Sequence, residues 1–216
     1  MRCDRRSVSH ALRSVGTVLF AVVCPVCGVR GAAPCGPCLA ALRPAPALPP
    51  PPGIDACHAL LAYEGAGREL VARLKYRNQR AALPGLARAA AAVVPPGSVD
   101  VVTWPPTTGA RRRARGFDQA ELVARSVGLA LAAPSVRLLR RAPGAPQTGK
   151  GVVARWSGPA FTARRAVPGG RVVLVDDVVT TGATVAAAAA ALRRAGAASV
   201  VVVALARTPA KARHAE

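Results

Sequence analysis

The stretch Val172–Val185, which reads VVLVDDVVTTGATV, constrains the fold of this chain more than any other part of it. Its first four residues are apolar and mostly β-branched, which is typical of a buried strand in a parallel sheet. A small, hydroxyl-rich turn follows, and an alanine-rich run from Val185 to Arg194 predicts a helix that ends before Gly196. The chain has 216 residues, which suits one α/β domain of this kind with an appendage.

The turn between this strand and this helix has the chemistry of a phosphate-binding loop. Backbone N–H groups at a helix N-terminus lack partners within the helix and attract anions, and threonine hydroxyls add donors. Two carboxylates precede the turn and would repel a phosphate unless they face another part of the ligand. A ribose 5-phosphate meets both conditions, because its hydroxyls can donate to the carboxylates. The residues predicted to bind it are Asp176, Asp177, Thr180, Thr181, Gly182, Ala183 and Thr184.

The sequence DDVVTTGAT after four apolar residues resembles the 5-phosphoribosyl-1-diphosphate (PRPP) loop of type I phosphoribosyltransferases. The resemblance implies a parallel sheet flanked by helices that binds PRPP together with Mg²⁺. Purine-salvage members carry an acid two residues before the loop glycine as a general base. Thr180 stands at that place here, which leaves the proton to the substrate or to another group.

A second strand–loop–helix unit begins at Asp100–Trp104 and carries a cluster of arginines, Arg111–Arg115, before the helix that Asp118 is expected to cap. The ends of parallel strands open on one edge of a sheet, so this cationic loop is predicted to face the 172–185 loop. There it would neutralise a diphosphate, and the alternative is a solvated patch or a nucleic-acid contact. The predicted catalytic residues are Asp176, Asp177, Arg113 and Arg115.

Four cysteines near the N-terminus predict a metal site. Cys24 and Cys27 form one C-x2-C pair, and Cys35 and Cys38 form a second pair after seven intervening residues. Two such turns bring four sulfurs together, and a closed four-sulfur site is typical of structural zinc. Two disulfides or redox-active pairs are the alternatives, which a cytosolic setting disfavours.

Composition divides the chain into four segments. The predicted boundaries are an N-terminal segment with the cysteine module at 1–43, a proline-rich linker at 44–53, the α/β domain at 54–208 and a tail at 209–216. The linker is expected to be a stiff polyproline II spacer of about 3.1 Å per residue.

Within the domain, hydrophobic periodicity predicts further elements. Residues 140–159 have none over twenty residues, which predicts a mobile loop carrying Arg141, Gln147, Lys150 and Arg155. Strands are predicted at 57–63, 100–104, 136–139 and 199–205, and helices at 69–76, 83–94 and 120–131.

The location predicted for the chain is the cytoplasm. The apolar run at 15–23 is short and lacks a small-residue cleavage site, and no segment is long enough to span a membrane. The net charge of +20 fits a nucleic-acid partner or a general bias of composition, which the joint excess of Ala, Arg, Gly, Pro and Val favours. Aromatic residues make up 3%, which argues against a platform for stacking single-stranded bases.

Three stretches together resemble the ComF family (ComFC- and GntX-like proteins). They are the four-cysteine module, R-x-R-G-F-D-Q at Arg113–Gln119, and Q-T-G…R…F within Gln147–Phe161. The resemblance implies a zinc module joined to a phosphoribosyltransferase-like domain, with a role in uptake and processing of single-stranded DNA. Asp118 stands where the family has Asn, and Pro-Pro-Thr at Pro105–Thr107 replaces Pro-Leu-His.

Two functions therefore stay open at this point. One is transfer of a phosphoribosyl group from PRPP to a nitrogen acceptor with release of diphosphate. The other is a non-catalytic protein that keeps the PRPP pocket and binds single-stranded DNA or a helicase. The residues specify neither the acceptor nor the oligomeric state, and a fold alone does not decide between the two functions.

Overall fold

The computed structural model describes residues 22–76, 80–142 and 159–209. Its central sheet has four parallel strands and confirms the predicted α/β class with helices on both faces. The strands are β1 (Ala56–Ala62), β2 (Val101–Thr103), β3 (Leu139–Arg141), β4 (Phe161–Ala163), β5 (Arg171–Val179) and β6 (Ser199–Arg207). The order in the sheet is β1-β6-β5-β2, while β3 and β4 pair antiparallel in a separate two-stranded sheet.

Six α-helices and one 3₁₀ turn (Arg80–Ala82) lie among the described residues. The helices are α1 (Gly36–Ala40), α2 (Gly65–Tyr76), α3 (Leu83–Ala91), α4 (Gly109–Arg115), α5 (Gln119–Ala130) and α6 (Ala183–Arg194). None of the helices in these ranges combines the length and the apolar character that a membrane span requires.

The core has two layers, one on each face of the sheet. Alternate residues of β5 serve the two layers, which explains why its apolar run is continuous. Val173 and Val175 belong to the layer formed with α2, α3 and α5, and Val172 and Leu174 belong to the layer formed with α6. Helix α6 supplies small alanines to this second layer, so the helix can lie close to the sheet.

The strand predicted at 136–139 is wrong. Ser135 makes a single parallel bridge with Val102, and the strand that follows is β3, which pairs with β4. Leu138 and Leu139 are both fully buried, so their side chains do not alternate between a core face and a solvent face. A short apolar run predicts burial, but it does not identify the strand that will pair with it.

The arginine-rich stretch is also more regular than the predicted loop. Helix α4 begins after Thr108, whose hydroxyl accepts the Arg111 N–H at 3.3 Å, and it ends at Gly116 in the left-handed conformation (φ 78°). Alanine and arginine between these caps are good helix formers, which accounts for the helix. Residues 143–158 of the predicted mobile loop, with Gln147, Lys150 and Arg155, lie outside the described residues, as does the apolar run up to residue 21.

The proline-rich linker is attached to the sheet along much of its length. The Ala45 N–H donates to the Leu60 carbonyl of β1 at 3.0 Å. The guanidinium of Arg207, at the end of β6, is buried with 7% exposure and donates to the carbonyls of Leu48 and Pro49 at 3.0 and 2.9 Å. These bonds fix the path of the linker, so the predicted spacer lies against the domain that it joins.

The linker also contacts the threonine turn. Gly182 has φ 79°, and a Cβ added to it would lie 2.6 Å from Pro51 Cγ. Such a separation is shorter than any carbon–carbon contact, so glycine is required at residue 182 both by its backbone conformation and by the neighbouring proline.

We predict that Gly182→Ala destabilises the protein more than Gly169→Ala. Both glycines have positive φ, and a left-handed alanine costs about 1–2 kcal/mol at either place. An added Cβ at Gly169 meets no atom within 4 Å, whereas at Gly182 it displaces Pro51 and adds about 1–3 kcal/mol. Urea denaturation of the two variants measures the difference. Equal losses would show that the linker does not press on the turn.

Candidate functional site

A cavity of about 210 Å³ opens at the carboxyl edge of the sheet. One wall comes from the segment between β2 and α5, and the other comes from β5 and the start of α6. The two loops that the sequence predicted to face each other therefore line one cavity. Both lie beyond neighbouring strands, because β2 pairs in parallel with β5 from Val101↔Val172 to Thr103↔Leu174.

The two predicted carboxylates line this cavity. Asp176 and Asp177 are half-buried and lie inside β5 rather than after its end. The strand continues for two residues beyond them because β6 pairs with it as far as Val179↔Arg207. The Asp177 N–H donates to Asp176 Oδ1 at 2.8 Å, which fixes the side chain of Asp176.

The predicted phosphate loop has the expected form. Gly182 is the N-cap of α6, and the Ala186 N–H bonds its carbonyl at 2.9 Å to start the helix. Thr181 Oγ1 accepts the Ala183 N–H at 3.4 Å, and Thr184 lines the cavity. Thr180, Thr181 and Ala183 are exposed, so they remain accessible to a ligand over the turn.

The arginines in the cavity lining are Arg111 and Arg141. Arg141 is half-buried on β3, with its guanidinium carbon 5.4 Å from the centre of the Phe161 ring. Its burial lowers the pKa of its guanidinium, the charge of Arg111 acts in the same direction, and Asp176 opposes both. Two cations and a carboxylate therefore interact within the same cavity, as binding of an anionic, hydroxyl-bearing ligand requires.

Of the arginines predicted to be catalytic, Arg113 is exposed and does not contribute to the cavity lining, and the side chain of Arg115 lies outside the described part. Arg141 was predicted only as part of a mobile loop. The local signal for its position is the strand alternation that turns Arg140 and Arg141 to opposite sides. Its place in the cavity also depends on the pairing of Arg141 with Phe161, which no local pattern reveals.

Two buried polar residues complete the β2 side of the cavity. Asp118 occupies the predicted N-cap position of α5, but the hydrogen bond to its carboxylate comes from the Thr107 N–H at 2.9 Å rather than from the helix. Burial raises the pKa of Asp118, and the Thr107 N–H opposes the rise. Gln119 is 5% exposed, and its Oε1 is buried with no hydrogen-bond partner among the described residues.

The four predicted metal ligands are brought together at some distance along the chain from this cavity. The sulfurs of Cys24, Cys27, Cys35 and Cys38 all lie within 4.8 Å of one another. Zinc bonds of about 2.3 Å in a tetrahedron need sulfurs about 3.8 Å apart. The 3.6 Å between the sulfurs of Cys27 and Cys35 is close to that value, so the residues fit a zinc ion.

The cysteine turns also stabilise thiolates. The N–H groups of Val26 and Cys35 donate to Cys24 Sγ, each at 3.4 Å. Burial acts to raise the pKa of Cys24, but backbone N–H donors outweigh it and lower the pKa to about 6. A thiolate is the form that binds metal, so the local backbone favours a metal ligand at this place.

Comparison with known proteins identifies the second half of the chain. Residues 113–216 match the family model of the phosphoribosyl transferase domain. The matched segment contains β5, both aspartates, the threonine turn and α6, so the predicted PRPP loop lies within a recognised domain of this kind. No curated protein gives a significant match to the chain.

Among solved structures, three similar ones are enzymes of phosphoribosyl chemistry or purine synthesis. The "allosteric regulatory enzyme of purine biosynthesis" is 25% identical over 59% of this chain and 26% of its own, with a TM-score of 0.41. The glutamine phosphoribosylpyrophosphate (PRPP) amidotransferase from B. subtilis is 26% identical over 58% and 26%, with a TM-score of 0.40. The purine phosphoribosyltransferase from Pyrococcus horikoshii is 19% identical over 59% and 74%, with a TM-score of 0.42. The chain spans about a quarter of the length of the first two enzymes.

We predict that the purified protein carries about one zinc ion per chain, bound by four sulfurs. Cys24→Ser together with Cys38→Ser should abolish zinc binding and lower the free energy of unfolding, because two of the four ligands are lost. Cys57→Ser is the control, since Cys57 lies on β1 outside the cluster. Elemental analysis and urea denaturation measure both effects. Zinc that is retained by the double variant, or disulfides found in the untreated protein, would contradict the assignment.

Proposed function

We propose that this protein binds PRPP at the carboxyl edge of the sheet and transfers its phosphoribosyl group to a nitrogen acceptor, with release of diphosphate. The observation that carries the proposal is the meeting of two carboxylates, a helix N-terminus and two arginines in one cavity. PRPP needs all three, because it joins a 5-phosphate, a hydroxyl-bearing ribose and a diphosphate. The match of residues 113–216 to the phosphoribosyl transferase domain supports the same assignment.

In this proposal the ribose and its 5-phosphate lie against β5 and α6. The carboxylates of Asp176 and Asp177 accept the 2′- and 3′-hydroxyls, while the threonine turn takes the phosphate. Helix α6 is twelve residues long, so its N-terminal N–H groups and dipole favour an anion over Gly182. Thr184 adds a hydroxyl from the cavity lining.

The diphosphate lies between the arginines. A guanidinium can bond phosphate oxygens in a bidentate manner, and Arg141 is held in place by its contact with the Phe161 ring. Loss of diphosphate from C1 develops negative charge on the leaving oxygen, which Arg111 and Arg141 are placed to stabilise. Arg113 and Arg115 stay in the proposal as further cations at the mouth of the same loop.

The chemistry of the donor set also fits Mg²⁺. This ion prefers oxygen ligands, which the carboxylates of Asp176 and Asp177 and the oxygens of a diphosphate supply. When bound, it neutralises charge on the diphosphate. The protein's own part in the reaction is to hold the ribose and the leaving group in line for attack, which is where positioning lowers the barrier.

A second candidate is the non-catalytic protein that binds single-stranded DNA or a helicase, in the setting of DNA uptake that the ComF resemblance implies. The observation that favours it is the exposure of α4, where Arg111, Arg112 and Arg113 all reach solvent on a chain of net charge +20. In either case we place the protein in the cytoplasm. DNA binding that falls steeply with salt and ignores PRPP would favour this candidate over the transferase.

We predict that Asp176→Ala with Asp177→Ala abolishes PRPP binding while the fold survives, because both carboxylates are half-buried ligand-facing groups rather than core residues. Asp100→Asn is the control, since Asp100 lies at the opposite edge of the sheet, where it pairs with Arg171. Titration calorimetry with PRPP and Mg²⁺ measures the affinity, and circular dichroism verifies the fold. Unchanged affinity in the double variant would refute the assignment of the site.

We also predict that Arg141→Met weakens binding of PRPP by about tenfold or more and leaves binding of ribose 5-phosphate nearly unchanged. The lost charge-assisted bonds are worth about 1.5–3 kcal/mol, and only PRPP carries the diphosphate that makes them. Arg140→Met is the matched control, because Arg140 is the exposed neighbour on the same strand. Equal losses for the two ligands, or for the two variants, would mean that Arg141 does not face the diphosphate.

A further inference from the structure

The side-chain amide of Gln119 is an unexplained feature of the cavity. Gln119 is 5% exposed, and its Oε1 is buried with no hydrogen-bond partner among the described residues. A buried polar atom without a partner is costly and uncommon in folded proteins. Because Gln119 also lines the cavity, a ligand that donates a hydrogen bond there would satisfy this oxygen.

Asp118 supplies a second oxygen acceptor at the same wall. It is 6% exposed and lines the cavity beside Gln119. Its Oδ2 accepts the Thr107 N–H at 2.9 Å, and a carboxylate has further lone pairs for other donors. Burial raises the pKa of Asp118, as expected where no cation is paired with the carboxylate to offset desolvation.

These two acceptors determine what the wall can bind. A phosphate offers oxygens of the same sign and would be repelled by them, so the wall does not suit either phosphate group of PRPP. A group that carries N–H donors suits it. The wall belongs to the β2–α5 side, whereas Asp176, Asp177 and Thr184 belong to the β5–α6 side, so a ribose held by the second side would turn C1 toward the first.

We propose that Asp118 and Gln119 form the acceptor half of the site, and that they bind a nitrogen heterocycle through its N–H groups. The inference rests on the proposed function, because it needs a ribose phosphate on the opposite wall. It assigns to the acceptor a chemical class: a planar base with at least one N–H group near its point of attachment to ribose. Gln119 is then a specificity-determining residue, since a base without N–H would leave its Oε1 unpaired.

The competing explanation is structural. Asp118 holds the β2–α5 loop through Thr107, and Gln119 would then be an accidental neighbour at the first turn of α5. Loss of either side chain would in that case reduce stability or disturb every ligand equally. Ligands that share the ribose phosphate and differ in the base separate the two explanations.

The experiment is titration calorimetry of the full chain with Mg²⁺ and a set of ribose 5-phosphate compounds. The set contains ribose 5-phosphate itself, the 5′-monophosphates of adenosine, guanosine, cytidine and uridine, and purine riboside 5′-monophosphate, whose base has no N–H. We expect at least one of the four nucleotides to bind about tenfold more tightly than ribose 5-phosphate, since about 1.4 kcal/mol is a factor of ten. The base without N–H should lack that advantage.

The variants then assign the advantage to residues. Gln119→Met keeps the length of the side chain, so it should remove most of the nucleotide's advantage and leave the affinity for ribose 5-phosphate within about twofold, because the carboxylates and the helix N-terminus are untouched. Asp118→Asn keeps the shape of the side chain and should reduce the advantage as well. Glu121→Gln is the control on the same helix, where Glu121 pairs with Arg125 away from the cavity lining. Circular dichroism verifies that each variant is folded.

Three results would overturn the inference. A wild-type protein that binds all six compounds equally, or a Gln119→Met variant that keeps the full advantage, would remove the acceptor half and leave the proposed function intact. Equal weakening of ribose 5-phosphate and nucleotides by Gln119→Met would show the structural role instead. A wild-type protein that binds neither PRPP nor ribose 5-phosphate would overturn the proposed function together with the inference.

Discussion

The parallel pairing of β2 with β5 is the constraint on which the candidate site depends. Three residue pairs, from Val101↔Val172 to Thr103↔Leu174, place the ends of both strands at one edge of the sheet. The segments that follow are chemically opposite: one is rich in arginine and the other carries two carboxylates. In an antiparallel pair these segments would leave at opposite edges, and no cavity would combine them. The register is supported by burial, since Val102 and Val173 are completely or almost completely buried in the same core layer.

Within the cavity, opposite charges solve two problems at once. Arg141 is half-buried, and the carboxylate of Asp176 together with the face of the Phe161 ring offsets the cost of burying its guanidinium. The same charges suit a ligand that has both hydroxyl groups and phosphates. Asp118 differs from these acids because desolvation dominates its titration, so the two walls of the cavity hold carboxylates of unlike character. The division of the cavity into a sugar side and a base side follows from this difference.

The parts of the fold that the sequence predicted depend on local patterns. The apolar run, turn and alanine-rich helix around Gly182 lie within fifteen residues, and both C-x2-C turns fix their sulfurs by spacing alone. What the sequence did not predict depends on distant contacts. Arg141 enters the cavity because β3 pairs with β4, twenty residues away, and the unpaired oxygen of Gln119 becomes visible only when α5 is packed on the sheet. Helix α4 is an intermediate case: Thr108 and Gly116 are readable caps, but a run of arginines between them predicts solvation rather than structure.

The proline-rich linker connects the two parts of the chain more closely than its composition implies. A buried guanidinium is expensive unless its donors are satisfied, and Arg207 satisfies two of them with linker carbonyls. This holds the linker across the carboxyl edge, since Arg207 pairs with Val179 at the end of β5. Pro51 then meets Gly182, which is the N-cap of α6 and part of the predicted phosphate loop. Movement of the cysteine module would therefore be transmitted to the loop through a stiff segment, because polyproline resists bending. A chain of contacts from the module to the loop explains why a glycine at the phosphate site must also accommodate a proline from the linker.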